Sequence, residues 1–73
     1  MSYWRKRMLC DHLSEEKFDE LYQFCDEEIE AILTKKGLKD FYSDIEGTDV
    51  YINAVRNEMN RKIEEFNLWG YIQ

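Results

Sequence analysis

With 73 residues and a mass of 9.0 kDa, the chain has room for one small domain and no second. Its 16 Asp and Glu outnumber 10 Lys and Arg, and a net charge of −6 argues against a protein whose main task is neutralising phosphates. Apolar residues make up 44% and aromatics 15%, too many for a disordered acidic tail, and no apolar run approaches the ~20 residues of a membrane span.

The pattern along the chain predicts an all-α fold in a single helical domain spanning 1–73. Residues 1–12 form a basic, aromatic arm, with Tyr3 and Trp4 ahead of Arg5, Lys6 and Arg7. Trp4 and Met8 are one helical turn apart, which suits a short helix, and an extended arm fits equally. No apolar stretch of the signal-peptide kind follows this basic start, so a cytoplasmic protein with reduced Cys10 and Cys25 is expected.

Residues 13–36 form an acidic helix. Ser14 suits the N-cap, and Leu13 can pack on Phe18 as a hydrophobic staple. Phe18, Leu21, Tyr22, Cys25, Ile29, Ile32 and Leu33 recur at spacings of three and four, giving one apolar stripe. Lys35 and Lys36 complement the helix dipole in the last turn. Gly37 then takes the left-handed stop position, with Leu38 folding back on Leu33.

A short helix over 38–46 follows, broken at Gly47. Two N-caps compete for the next helix. Starting at the Ser43-x-x-Glu46 capping box places Gly47 inside the helix at a cost of ~1 kcal/mol, so Thr48 is favoured. The second long helix, 48–69, carries Ile52, Val55, Met59, Ile63 and Phe66 on its apolar stripe, with Glu58 and Lys62 paired on the flank. Gly70 is its expected stop, with Tyr71 and Ile72 folding back. The simplest architecture is a small antiparallel helical hairpin of 14–36 and 48–69, closed by the N-terminal segment and the short connecting helix. A domain this small buries only about 60% of its unfolded surface, so a homodimer is also expected.

Catalysis finds no support. The single histidine, His12, sits beside a helix start with no nucleophile–base pair around it, and three scattered glycines form no phosphate loop. No metal or other cofactor is expected: Cys10, His12 and Cys25, with Asp11 or Asp26, lack paired ligand spacing, and Cys25 already belongs to the apolar stripe.

The acidic face is the informative feature. Glu16, Asp19, Glu20, Asp26, Glu27 and Glu30 lie opposite the stripe, and the i,i+4 pairs Glu16–Glu20 and Asp26–Glu30 repel by ~0.2–0.5 kcal/mol each. Helix stability alone favours alternating signs. The alternatives are a solvated face that only aids solubility and a docking surface for a basic partner. Phe24 lies on the shoulder of this face, and Tyr3, Trp4, Tyr51, Trp69 and Tyr71 are further anchor candidates.

The function expected is that of a non-enzymatic protein-binding module, a stoichiometric inhibitor or adaptor. By class-level analogy it resembles the inhibitors that phages direct at host nucleic-acid-handling proteins. One alternative is a nucleic-acid-binding transcriptional regulator using Arg5, Lys6, Arg7, Arg56, Arg61 and Lys62, with a helix-turn-helix over 38–60. Its recognition helix would open Thr48-Asp49-Val50-Tyr51, which offers few basic side chains, so a nucleic-acid partner is disfavoured. The basic arm is expected to pair instead with the chain's own acidic helix. A structural helical homo-oligomer is the remaining alternative.

Overall fold

The computed structural model describes residues 9–72. The expectations for Tyr3, Trp4, Arg5, Lys6 and Arg7, and for the conformation of the arm up to Met8, lie outside the described residues. From Leu9 onward the chain forms a 3-10 turn at Leu9–His12 and three α-helices: α1 (Glu15–Lys35), α2 (Lys39–Ile45) and α3 (Asp49–Glu65). A second 3-10 turn, Leu68–Tyr71, ends the described fold, which is all-α as expected.

Each helix boundary has a local cause. The Ser14 hydroxyl accepts the Lys17 backbone N–H at 3.3 Å, capping α1. Leu13 is buried in the core and Phe18 packs against it, on either side of that cap. At the other end, the Leu38 N–H donates to the Leu33 carbonyl at 2.7 Å and the Gly37 N–H to the Thr34 carbonyl at 3.0 Å. This Schellman arrangement needs a left-handed residue, and Gly37 supplies it at φ 77° without a Cβ clash.

The competition between caps is resolved at Thr48. Its hydroxyl donates to the Ile45 carbonyl at 2.6 Å and accepts the Tyr51 N–H at 3.2 Å, while Gly47 turns left-handed at φ 83°. Ser43 lies inside α2 and caps nothing. α3 then stops earlier than expected, at Glu65 rather than 69. Asn67 adopts the left-handed conformation (φ 55°, ψ 48°) in place of Gly70. Asn tolerates this region better than most residues, so it terminates the helix before the glycine is reached.

α1 and α3 pack antiparallel. Glu28 faces Lys62, Phe24 faces Phe66, Lys17 faces Tyr71, and Leu13 forms an isolated antiparallel bridge with Ile72. α2 packs on α1, and both 3-10 turns pack on α3. The solvent-free centre consists of Cys10, Cys25, Val55, Met59 and Ile63. Burial of Val55, Met59 and Ile63 stabilises the fold by roughly 1.5–3 kcal/mol each.

Because α3 is covered by α1 and by both 3-10 turns, its buried surface is broader than one stripe. Tyr51, Arg56 and Lys62 are buried beside the apolar residues, whereas Ile32 and Phe66, expected in the core, are half-exposed. Among the described residues no helix is long and apolar enough to cross a membrane.

Replacing Thr48 with Ala should lower unfolding free energy by about 1 kcal/mol in urea titrations, with Ser43→Ala changing it by less than ~0.5 kcal/mol.

Candidate functional site

The acidic residues fall into two groups. One is consumed by the fold. Asp26 leaves the expected docking face because its Oδ1 accepts the Tyr42 hydroxyl at 3.0 Å and also the Tyr51 hydroxyl. That single carboxylate oxygen ties α1 to α2 and α3. Tyr51, expected as an exposed anchor, is 3% exposed and packs edge-on against Tyr42 at 5.6 Å. Burial, reinforced by hydrogen bonding to Asp26, pushes the Tyr51 phenol above its usual range. Tyr42 is raised by burial and then by hydrogen bonds to Glu46 and Asp26.

The basic residues of α3 are consumed in the same way. Arg56 is 2% exposed and pairs with Asp11 at 2.5 Å, with Asn53 accepting a further hydrogen bond at 3.1 Å. Lys62 is also buried, within 3.2–3.6 Å of Glu28, Glu58 and Glu65. Hydrogen bonding to Glu28 raises its pKa above the usual range, against the opposing pull of burial. Arg61 is exposed but paired with Glu58 at 2.7 Å. Arg56, Arg61 and Lys62 therefore do not form the open basic face that a nucleic-acid regulator requires. Residues 49–60, the would-be recognition helix, contain no other Lys or Arg than the buried Arg56.

The cysteines are structural. Cys10 and Cys25 are both free and fully buried in the core. The Cys10 N–H donates to Asn60 Oδ1 at 3.0 Å, and its thiol makes a weak contact with the Arg56 carbonyl at 3.8 Å. Desolvation pushes the Cys25 thiol up to about 12, far from the reactive thiolate form. No group of three His, Cys, Asp or Glu converges as metal ligands among the described residues.

The second group of acids lines an edge. Glu16, Asp19, Glu20 and Glu27 are exposed, and Glu30 is partly so. At 100° per residue, Glu16, Glu20 and Glu27 fall within ~40° of one another along α1. Directly beside them opens an apolar groove of about 350 Å³. One side is Leu13, just before α1, with Lys17, Glu20, Leu21 and Phe24 of α1; the other is Phe66, Leu68 and Tyr71 from the segment after α3. Phe24, Phe66 and Tyr71 are 49%, 50% and 48% exposed. Phe24 and Phe66 meet edge to face at 6.4 Å.

Lys17 spans the groove. Its ammonium lies 4.9 Å from the Tyr71 ring centroid and 3.1 Å from Glu20 Oε2. Hydrogen bonding to Glu20 raises its pKa above the usual range. Trp69 is also half-exposed on the C-terminal turn but does not line the groove.

Of the anticipated contact residues, the structure thus gathers Glu20, Phe24 and Tyr71 at one groove, with Glu16 and Glu27 along its edge. Leu13, Lys17, Leu21 and Phe66 were not anticipated there. Lys17 carried one available signal, as the only basic residue within 13–34. Compared with known proteins, the chain matches no protein-family model, no curated protein and no solved structure.

Two measurements separate structural acids from surface acids. Asp26→Ala should destabilise the fold by roughly 2–4 kcal/mol, since the buried Tyr51 hydroxyl loses its carboxylate acceptor and Tyr42 is left with Glu46 alone, whereas Glu27→Ala should change it by less than ~0.5 kcal/mol. The raised phenols stabilise the fold fully below their unfolded pKa of about 10, and that contribution is lost as pH rises beyond it. Unfolding free energy followed by circular dichroism should therefore decline above pH ~10, and Tyr51→Phe should flatten the decline.

Proposed function

We propose that the protein is a non-enzymatic binding module, acting as a stoichiometric inhibitor or adaptor, that docks a basic segment of a protein partner. The supporting observation is the juxtaposition of an apolar groove, with Phe24, Phe66 and Tyr71 half-exposed around it, and the carboxylate edge of Glu16, Glu20 and Glu27. Apolar area with aromatic anchors supplies affinity once water is displaced, and a rim of one charge sign steers and orients a partner of the other sign. The i,i+4 repulsion between Glu16 and Glu20 is relieved when cations approach that edge.

The contact surface is narrower than the six-residue acidic face and nearer the C-terminal turn. Asp26 and Tyr51 do not belong to it. With net charge −6 and the α3 cations engaged internally, a macromolecule with a basic surface is the complementary partner.

Affinity capture on immobilised protein tests this. A partner retained by the wild type should be lost with Glu16→Lys/Glu20→Lys/Glu27→Lys and separately with Phe24→Ala/Phe66→Ala, both variants remaining helical. Duplex DNA should not be retarded at physiological salt. Capture indifferent to both variants, or a salt-steep DNA shift, would exclude the docking function.

A further inference from the structure

The groove is apolar except at one point, where its own Lys17 sits between a carboxylate and an aromatic face. We propose that Lys17 is a placeholder: its ammonium occupies the seat that an arginine of an amphipathic partner helix takes on docking, between Glu20 and the ring of Tyr71. This inference rests on the docking function above and names the chemistry of its occupant.

Three observations carry it. The seat has both elements of cation recognition, a carboxylate oxygen at 3.1 Å and a ring centroid at 4.9 Å from one nitrogen. It lies where the apolar lining meets the acidic edge, so an incoming cation reaches it while neighbouring apolar side chains cover Leu21, Phe24 and Leu68. Lys17 itself is weakly held: its side chain is 41% exposed and Glu20's 59%, so solvent screens the pair and the flexible stem can swing away.

Arginine suits the seat better than lysine does. A planar guanidinium can bond both oxygens of Glu20 and stack on Tyr71 at once, which a compact ammonium cannot. From Lys17 to Phe24 the α1 side of the groove runs seven residues, ~10 Å, which matches about two turns of a docked helix. The partner segment is therefore a short helix with aliphatic side chains at i and i+4 and an arginine at their edge.

The probe is an alanine-rich helical peptide carrying leucines at i, i+4 and i+7 and one flanking arginine, with a citrulline twin that has the shape but not the charge. Binding is followed by NMR on the full-length wild type, on Lys17→Met, and on Lys35→Met as a control for net charge at the far end of α1. Lys17→Gln is the second variant should Met disturb folding. The arginine peptide should shift groove resonances and release the Lys17 ε-methylene protons from the Tyr71 ring current. Lys17→Met should bind it about three- to tenfold more tightly, the gain expected from removing one exposed ion pair and one cation–π contact. The citrulline peptide should bind the wild type more weakly and gain little from Lys17→Met. If groove resonances shift but Lys17 stays on Tyr71, or Lys17→Met gains no more than Lys35→Met, the placeholder is refuted while docking stands. If neither peptide perturbs the groove, docking itself fails and the placeholder with it.

Discussion

α3 buries three polar donors, and each must meet a carboxylate from another part of the chain. The Tyr51 hydroxyl meets Asp26, the Arg56 guanidinium meets Asp11, and the Lys62 ammonium meets Glu28 along with its own neighbours Glu58 and Glu65. A buried charge that loses its counter-charge costs several kcal/mol, a large share of the stability of any small domain. These pairings therefore set which face of α1 turns inward and where the N-terminal 3-10 turn docks. The apolar centre of Cys10, Cys25, Val55, Met59 and Ile63 supplies the driving force, and the three donor–carboxylate contacts supply orientation.

That requirement also sorts the acidic residues. Asp26 and Glu28 are drawn into contacts with α2 and α3, leaving Glu16, Glu20 and Glu27 as an exposed edge on which Glu20 pairs with Lys17 of its own helix. A face that looks uniform on a helical wheel thus divides into a structural half and an exposed half. The same pairings withdraw Arg56 and Lys62 from the surface.

The groove depends on where α3 stops. Asn67 turns left-handed, the chain drops into the Leu68–Tyr71 turn, and Ile72 is brought to Leu13. Had the helix continued to residue 69, the chain would run on along the α3 axis instead of turning back to bring Ile72 to Leu13. This side of the groove is a short 3-10 segment that packs on α3 and is tied to α1 by the Leu13–Ile72 bridge and the Lys17–Tyr71 contact, with Leu68 and Ile72 against the core.

Much of this architecture is local chemistry and was legible in the residues alone. The Ser14 and Thr48 caps, the Gly37 stop and the period-3.6 stripes define α1, the break and α3 because each acts within a turn or two of its own position. Tertiary contact decided the rest. Whether Asp26 faces solvent, whether Tyr51 is an anchor or a buried donor, and whether Arg56 is available depend on partners 25 to 45 residues away. Helical periodicity reports which residues share a face, but it cannot report which of two faces a neighbouring helix will cover, nor that Asn67 would end α3 before Gly70. The groove, with its lining drawn from both ends of the chain, exists only once those long-range choices are made.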